Sequence, residues 1–173
     1  MDQTDLKILA ILQTDATLPV AEIASRVNLS QTPCWRRIQR MEASGVIERR
    51  VAILKPNAVG LGLCVFVQIE TDDHSPQWLS RFSEVISGMP EVMDVYRMAG
   101  DVDYLLRVAV AGMTEYDDFY QRLISAVNLK NVTSRFAMER VKSSTAYDLK
   151  RRPETQRQAP ARKGGGLSIT ASI

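Results

Sequence analysis

PVAEIASRVNLSQTPCWRRIQRMEASG, residues 19–45, reads as two helices joined by a tight turn. Val20, Ile23, Ala24 and Val27 recur at helical spacing and predict a short helix over residues 19–27, with an inward apolar face. Asn28 suits the left-handed residue that closes such a helix, and only Asn28 and Leu29 remain for the connection. Ser30 then stands where a cap belongs. Pro33 falls in the first turn of the next helix, where backbone N–H groups lack helical partners, and Gly45 after Ser44 stops it. Two helices joined this closely define a helix-turn-helix.

The segments on either side complete a small domain over residues 1–55. Asp2 offers an N-cap and Asp5 a first-turn carboxylate for an opening helix that ends near Asp15, with Leu6, Ile8, Leu9, Ile11 and Leu12 on its apolar face. GVIERRVAIL, residues 45–54, reads as two short strands hinged at Glu48 to Arg50, a basic wing. In the third helix Cys34, Ile38, Met41 and Trp35 form the inward stripe. The remaining positions carry hydrogen-bond donors: Gln31, Thr32, Arg36, Arg37, Gln39 and Arg40, joined by Ser30 at the start and by Arg49 and Arg50 from the wing. Guanidinium forks bind phosphate or guanine edges, and Gln and Thr sample base edges, so this is the inventory of a recognition helix in a major groove. Three arginines alone are ordinarily a solvated face. The ordered set of cap, turn, stripe, stop and basic hairpin makes double-stranded DNA the expected partner.

Charge agrees with that assignment. Residues 1–55 hold eight basic and six acidic side chains, residues 56–149 eight and thirteen, and residues 150–173 six and one. A polyanion is therefore met by the ends, and the acidic middle does something else. The chain has 173 residues, 45% of them hydrophobic, enough for one or two soluble domains. No apolar run is long enough to span a membrane and the N-terminus carries no targeting pattern, so a cytoplasmic location without a membrane partner is expected. Two distant cysteines, Cys34 and Cys64, and a lone His74 do not make a zinc set, and neither a metal nor a cofactor is expected.

PNAVGLG supplies a linker over residues 56–62, and beyond it residues 63–149 read as a second domain. Val65, Val67 and Ile69 alternate with Cys64, Phe66 and Gln68 as in a strand between two packed surfaces. Trp78, Leu79, Phe82, Val85 and Ile86 share one face of a helix started by Ser75 and Pro76 and ended by Gly88 and Pro90. Strands follow over residues 92–99 and 104–110, then a helix to about Val127 opened by Thr114 and Asp117 as a capping box, then a last strand over residues 133–142. The order βαββαβ predicts a ferredoxin-like α+β sandwich with both helices on one sheet face. Phe66, Tyr96, Met98, Phe136 and Met138 would make the opposite face too apolar for water, which predicts a homodimer. Residues 150–173, rich in Pro, Gln, Arg and Gly, read as a disordered basic tail.

The turn AGDVDYLL admits two readings. It is an ordinary hairpin, or it is a ligand loop in which Gly100 allows close backbone approach and Asp101 and Asp103 hold an ammonium group. Pairing Asp101 with Asp103, or Cys64 with His74, as catalytic groups has little support, because no nucleophile triad, phosphate loop or dinucleotide fingerprint accompanies them. Three functions stay open at this level: a DNA-binding regulator, an amino-acid sensor or adaptor without DNA, and a small-molecule enzyme.

LSQTPCWRRIQRMEASGVI, MPEVMDVYRMAGDVDYLLRV and RFAMERVKSS together resemble the Lrp/AsnC, or feast/famine, transcription regulators over nearly residues 1–149, and most of all their cysteine-responsive members. The resemblance implies a winged helix-turn-helix followed by an effector-binding RAM domain, dimers that assemble into octamers, and an amino acid effector, with cysteine first and leucine or another apolar amino acid next. It implies that Gly100 and Asp103, with Met98 beside them, belong to the effector site, bordered by Arg135, Phe136 and Ala137 of the last strand. The basic tail departs from the family pattern.

Overall fold

A computed structural model of the chain describes residues 1–149, so the tail expected over 150–173 lies outside the described residues. Contacts divide the chain into two units, residues 1–52 with 141–149, and residues 53–140. Among the described residues no helix is long and apolar enough to cross a membrane.

The first unit contains three helices, α1 (Gln3–Leu12), α2 (Val20–Arg26) and α3 (Gln31–Ala43). Their ends follow from local chemistry. Asp2 and Asp5 cap α1 reciprocally, each carboxylate accepting the other's backbone N–H at 2.9 Å. Asn28 sits at φ 56°, and Leu29 N donates to Ala24 O while Asn28 N donates to Ser25 O, the bond pair that closes α2. Gly45, at φ 72°, repeats the arrangement at the end of α3: Val46 N donates to Met41 O and Gly45 N to Glu42 O. Ser30 takes the N-cap position of α3 without a side-chain bond. Ile8, Leu12, Ile23, Ala24, Val27, Cys34, Ile38 and Met41 form the core.

Two expectations fail in this unit. Trp35 does not join the inward stripe but is 50% exposed, because it lies about 100° around the helix from Cys34, beyond the edge of the buried sector. The wing hairpin is not formed: residues 48–55 are irregular and exposed. Two strands of three or four residues with no third strand or covering helix bury too little to hold a hairpin. The head is therefore a helix-turn-helix of three helices with an extended basic segment.

Residues 141–149, assigned by sequence to the second domain, pack instead with the first. The Gln13 side-chain amide makes both of its bonds to one residue of this returning chain, accepting Tyr147 N at 2.9 Å and donating to Tyr147 O at 2.8 Å. Thr145 Oγ1 donates to Gln13 O at 3.3 Å. Over the described residues the chain thus passes between the two units twice, after Ala52 and after Arg140. Replacing Gln13 by Ala is expected to remove protection of the Tyr147 amide in hydrogen exchange while leaving the α2 and α3 amides protected. Unchanged protection at Tyr147 would show that the clasp is not what holds the segment.

In the second unit a 3₁₀ turn (Pro56–Val59) ends at Gly60, φ 78°, and leads into β1 (Leu63–Glu70), α4 (Pro76–Ser87), β2 (Val92–Arg97), β3 (Tyr104–Val110), α5 (Met113–Ala126) and β4 (Asn131–Phe136). The sheet order is β2-β3-β1-β4 with every pair antiparallel, the βαββαβ sandwich expected. Val65, Val67 and Ile69 of β1 and Tyr104, Leu106, Val108 and Val110 of β3 meet Trp78, Phe82 and Ile86 of α4 and Tyr116, Phe119 and Leu123 of α5 in a single core. Burying a large apolar side chain completely contributes about 1.5–3 kcal/mol, so this layer dominates the unit's stability. Trp78 and Phe82 stack at 5.0 Å, and the Trp78 indole N–H donates to Asn128 O.

Three details differ from the sequence reading. α5 begins at Met113 with Gly112 at its cap and no side-chain cap bond, so Thr114 and Asp117 do not form a capping box. β2 stops at Arg97, since β3, its only partner, begins at Tyr104. β4 ends at Phe136 and not near Lys142, because its partner β1 begins at Leu63 and the last bond is Ala137 N to Cys64 O.

Candidate nucleic-acid interface and effector loop

α3 presents its polar groups in two files. Gln31, Trp35 and Gln39 share one, and Thr32, Arg36 and Arg40 the next, each spaced by four residues so that side chains stack along the axis. All six are exposed. Yet the arginines are not equivalent. Asp5 on α1 is 1% exposed, and its carboxylate accepts Arg37 Nη1 at 2.7 Å and Arg40 Nη2 at 2.9 Å in addition to Asp2 N. Arg37 also donates to Asp2 at 2.6 Å, and its side chain is only 27% exposed. The pairs raise the Arg37 guanidinium above its ordinary range, Asp2 contributing most, while the Asp5 backbone N–H and then Arg37 hold the Asp2 carboxyl below its own. A buried carboxylate with its oxygens bonded on several sides is a structural part, and Arg37 is committed to it.

That corrects the expected DNA-binding set. Arg37 holds α1 against α3. Arg40 takes part through one nitrogen and stays 63% exposed, so its remaining donors face outward. Gln39 donates to Glu42, which also accepts Arg50, drawing the basic segment after α3 toward the helix's last turn. Arg36 and Arg49 have no ion-pair partner among the described residues. Arg36, Thr32, Gln31 and the outer half of Arg40 therefore remain available to a polyanion on one helix face, with Ser30 at its N-terminal end and Arg49 beyond its C-terminal end. Sequence reasoning missed the Asp2–Asp5–Arg37–Arg40 cluster; acids at positions 2 and 5 matching arginines three residues apart on a later helix were the available signal.

The loop between β2 and β3 is built around Gly100, at φ 125°, a conformation that L side chains rarely adopt. Asp103 is engaged at three points: Oδ2 accepts Thr71 N at 2.8 Å, its N–H donates to Ile69 O and its carbonyl accepts Met98 N. Its carboxylate thus ties the loop to the β1–α4 connection, with Oδ1 4.0 Å from His74 Nδ1. Gly100, Asp101 and Met98 are exposed beside it. β4 divides the other candidates. Arg135 pairs with Phe66 on the open face and donates to Gln68 at 3.0 Å, whereas Phe136 pairs with Val65 and sets its ring edge-on to Tyr116, 5.2 Å away, on the helix-covered face. Phe136 thus leaves both the open-face apolar group and the side of the sheet that Arg135 occupies. Ala137 contributes its backbone bond to Cys64. The open face carries Phe66, Tyr96, Leu105 and the Asp94–Arg107 ion pair. A concavity of about 590 Å³ lies elsewhere, between α4 and α5, lined by Val85, Met89, Arg122 and Ala126.

A helix-turn-helix head whose third helix offers a cationic, amide-bearing face, followed by a ferredoxin-like domain with a glycine loop, defines a two-domain transcriptional regulator. Residues 1–42 match the AsnC-type helix-turn-helix domain and residues 64–147 the Lrp/AsnC ligand-binding domain, and the chain belongs to the Lrp/AsnC family of DNA-binding transcriptional regulators. It is 49% identical over 150 residues to the DNA-binding transcriptional activator DecR of Escherichia coli K12, covering 86% of this chain and 99% of that protein. It is 46% identical over 159 residues to the glutamate uptake regulatory protein of Zymomonas mobilis, covering 92% and 95%. Among solved structures, an AsnC family transcriptional regulator from Agrobacterium tumefaciens superposes with TM-score 0.83 at 56% identity, covering 87% of this chain and 98% of that one. A Neisseria meningitidis regulator in complex with L-methionine superposes with TM-score 0.82 at 31% identity, covering 86% and 97%.

Proposed function

We propose that the chain is an amino-acid-responsive regulator in which α3 enters the major groove of duplex DNA and the Gly100 loop takes the α-amino acid. The observation that carries the reading is Arg36: exposed, unpaired among the described residues and in file with Thr32, it leaves one uncompensated guanidinium at the centre of the presented face. An enzyme or a sensor without DNA gives that face no role.

The effector half rests on Gly100, whose left-handed backbone sets Asp101 and Met98 beside an anchored Asp103. Asp103 holds the loop in shape and Asp101 is the carboxylate that remains to pair with an ammonium group. The loop is exposed in a single chain, and a second copy seated on the open sheet face would enclose it; two copies would also present paired recognition helices to DNA half-sites. Such dimers assembling further, into octamers, complete the proposal. Cysteine is the proposed effector, and methionine, held by the Neisseria relative, is the next to test. Effector binding that favours one arrangement by about 1–3 kcal/mol is enough to shift DNA affinity several-fold to a hundredfold.

Thermal unfolding of the full chain with each of the twenty amino acids, repeated on Gly100→Val, tests the site. A subset containing a sulfur amino acid is expected to raise the midpoint of the wild-type protein and to leave the variant unmoved. Equal shifts in both proteins would remove the loop from the effector site.

A further inference from the structure

Trp35 stands outside the core of the head. The molecule holds two tryptophans, and they are opposites: Trp78 is 7% exposed, stacked and hydrogen-bonded, whereas Trp35 is 50% exposed and has no ring or hydrogen-bond partner among the described residues. A large rigid apolar ring with half of its surface in water forgoes part of the stabilisation that burial would give it and is free to make another contact. Its surroundings name the kind of contact. It stands between Gln31 and Gln39 in one file, next to Thr32 and Arg36 in the other, and the face carries amide, hydroxyl and guanidinium groups with no second large hydrophobe. A protein partner would ask for an apolar patch; a polar, cationic strip with a single flat ring suits the major groove, where the thymine C5-methyl is the apolar feature among donors and acceptors.

We propose that Trp35 is a specificity-determining residue that packs its indole on a thymine methyl of the bound duplex, within the groove-binding reading of α3 on which this inference rests. Arg36 supplies attraction to the backbone or to guanine, and Trp35 supplies discrimination for thymine at one position of each half-site. The indole has few rotatable bonds to immobilise, so little ordering opposes the contact.

The test uses the full chain and a duplex selected by that chain from a randomised pool. Each thymine of the selected duplex is replaced in turn by uracil, which removes the methyl and nothing else. Loss of one buried methyl is expected to weaken wild-type binding about fourfold at one thymine per half-site. Trp35→Ala is expected to bind the parent duplex more weakly and to show no discrimination between thymine and uracil there. Trp35 also reports on itself: acrylamide quenching of the wild-type emission, dominated by the exposed ring, is expected to fall on saturation with the duplex, an outcome that needs no variant. A flat uracil scan on a tightly bound duplex, a Trp35→Ala protein with the wild-type scan, or quenching unchanged by DNA would each overturn the assignment while leaving DNA binding in place. Failure of the chain to select any duplex would overturn the groove reading and this inference together.

Discussion

Replacing Asp5 by alanine is expected to cost the head roughly 3 kcal/mol of unfolding free energy, from the lost cap and the lost bonds to charged partners. The substitution removes half of the reciprocal cap on α1 and strips two arginines of their buried acceptor at once. Arg40 can turn to water, being 63% exposed, but Arg37 is held at the α1–α3 contact with only Asp2 left to pair with. Hydrogen exchange at α1 and α3 amides would read the loss directly, and protection in β1 and β3 is expected to persist because their core is separate. Asp5→Asn, which keeps the shape and one acceptor, should lie between the two. A wild-type exchange pattern in Asp5→Ala would show that the cluster is peripheral. Acid acts on the same contact. The Asp2 carboxyl titrates below its ordinary value in the folded head, so its contribution is present above pH ~4 and disappears as pH falls through the folded value.

Arg36→Ala is expected to weaken binding to a selected duplex by about 1–3 kcal/mol, the range of a specific guanidinium contact, with no loss of folding stability. The contrast with Arg37→Ala separates interface from scaffold. Arg37 is bonded to Asp2 and Asp5, so its replacement should lower head stability, and DNA affinity should fall only as far as the folded fraction does. Arg40→Ala should do some of both. If Arg36→Ala instead destabilised the head and Arg37→Ala left it intact, the division of labour drawn from the ion pairs would be reversed.

Much of this architecture is written in short-range chemistry. Asp2, Asn28, Gly45 and Ser75 sit where caps and stops act on their own neighbours within five residues, and each is found at a helix end. The alternation of Val65, Val67 and Ile69 likewise fixes which face is buried, since a strand's period leaves no choice. What escaped the sequence depends on partners far away in the chain. Arg37 and Arg40 meet Asp5 across more than thirty positions, and nothing local tells a committed arginine from a presented one. Phe136 falls on the helix side because of its register against Val65, and β4 ends where β1 begins, both set by pairing and not by composition. Trp35 stands at the margin of an apolar sector, where one hydrophobic residue can belong to the stripe or to the surface with equal periodicity. The clasp of Gln13 on Tyr147 joins the two ends of the described chain and has no sequence signature at all.

α3 meets DNA through Arg36 while Asp5 keeps its neighbours occupied. Titration of a selected duplex with wild-type and Arg36→Ala protein over a series of salt concentrations measures it most directly. The expected result is an affinity that falls linearly on logarithmic axes as salt rises, with the variant weaker at every concentration and its thermal midpoint unchanged. Superimposable curves for the two proteins would show that Arg36 does not meet the duplex.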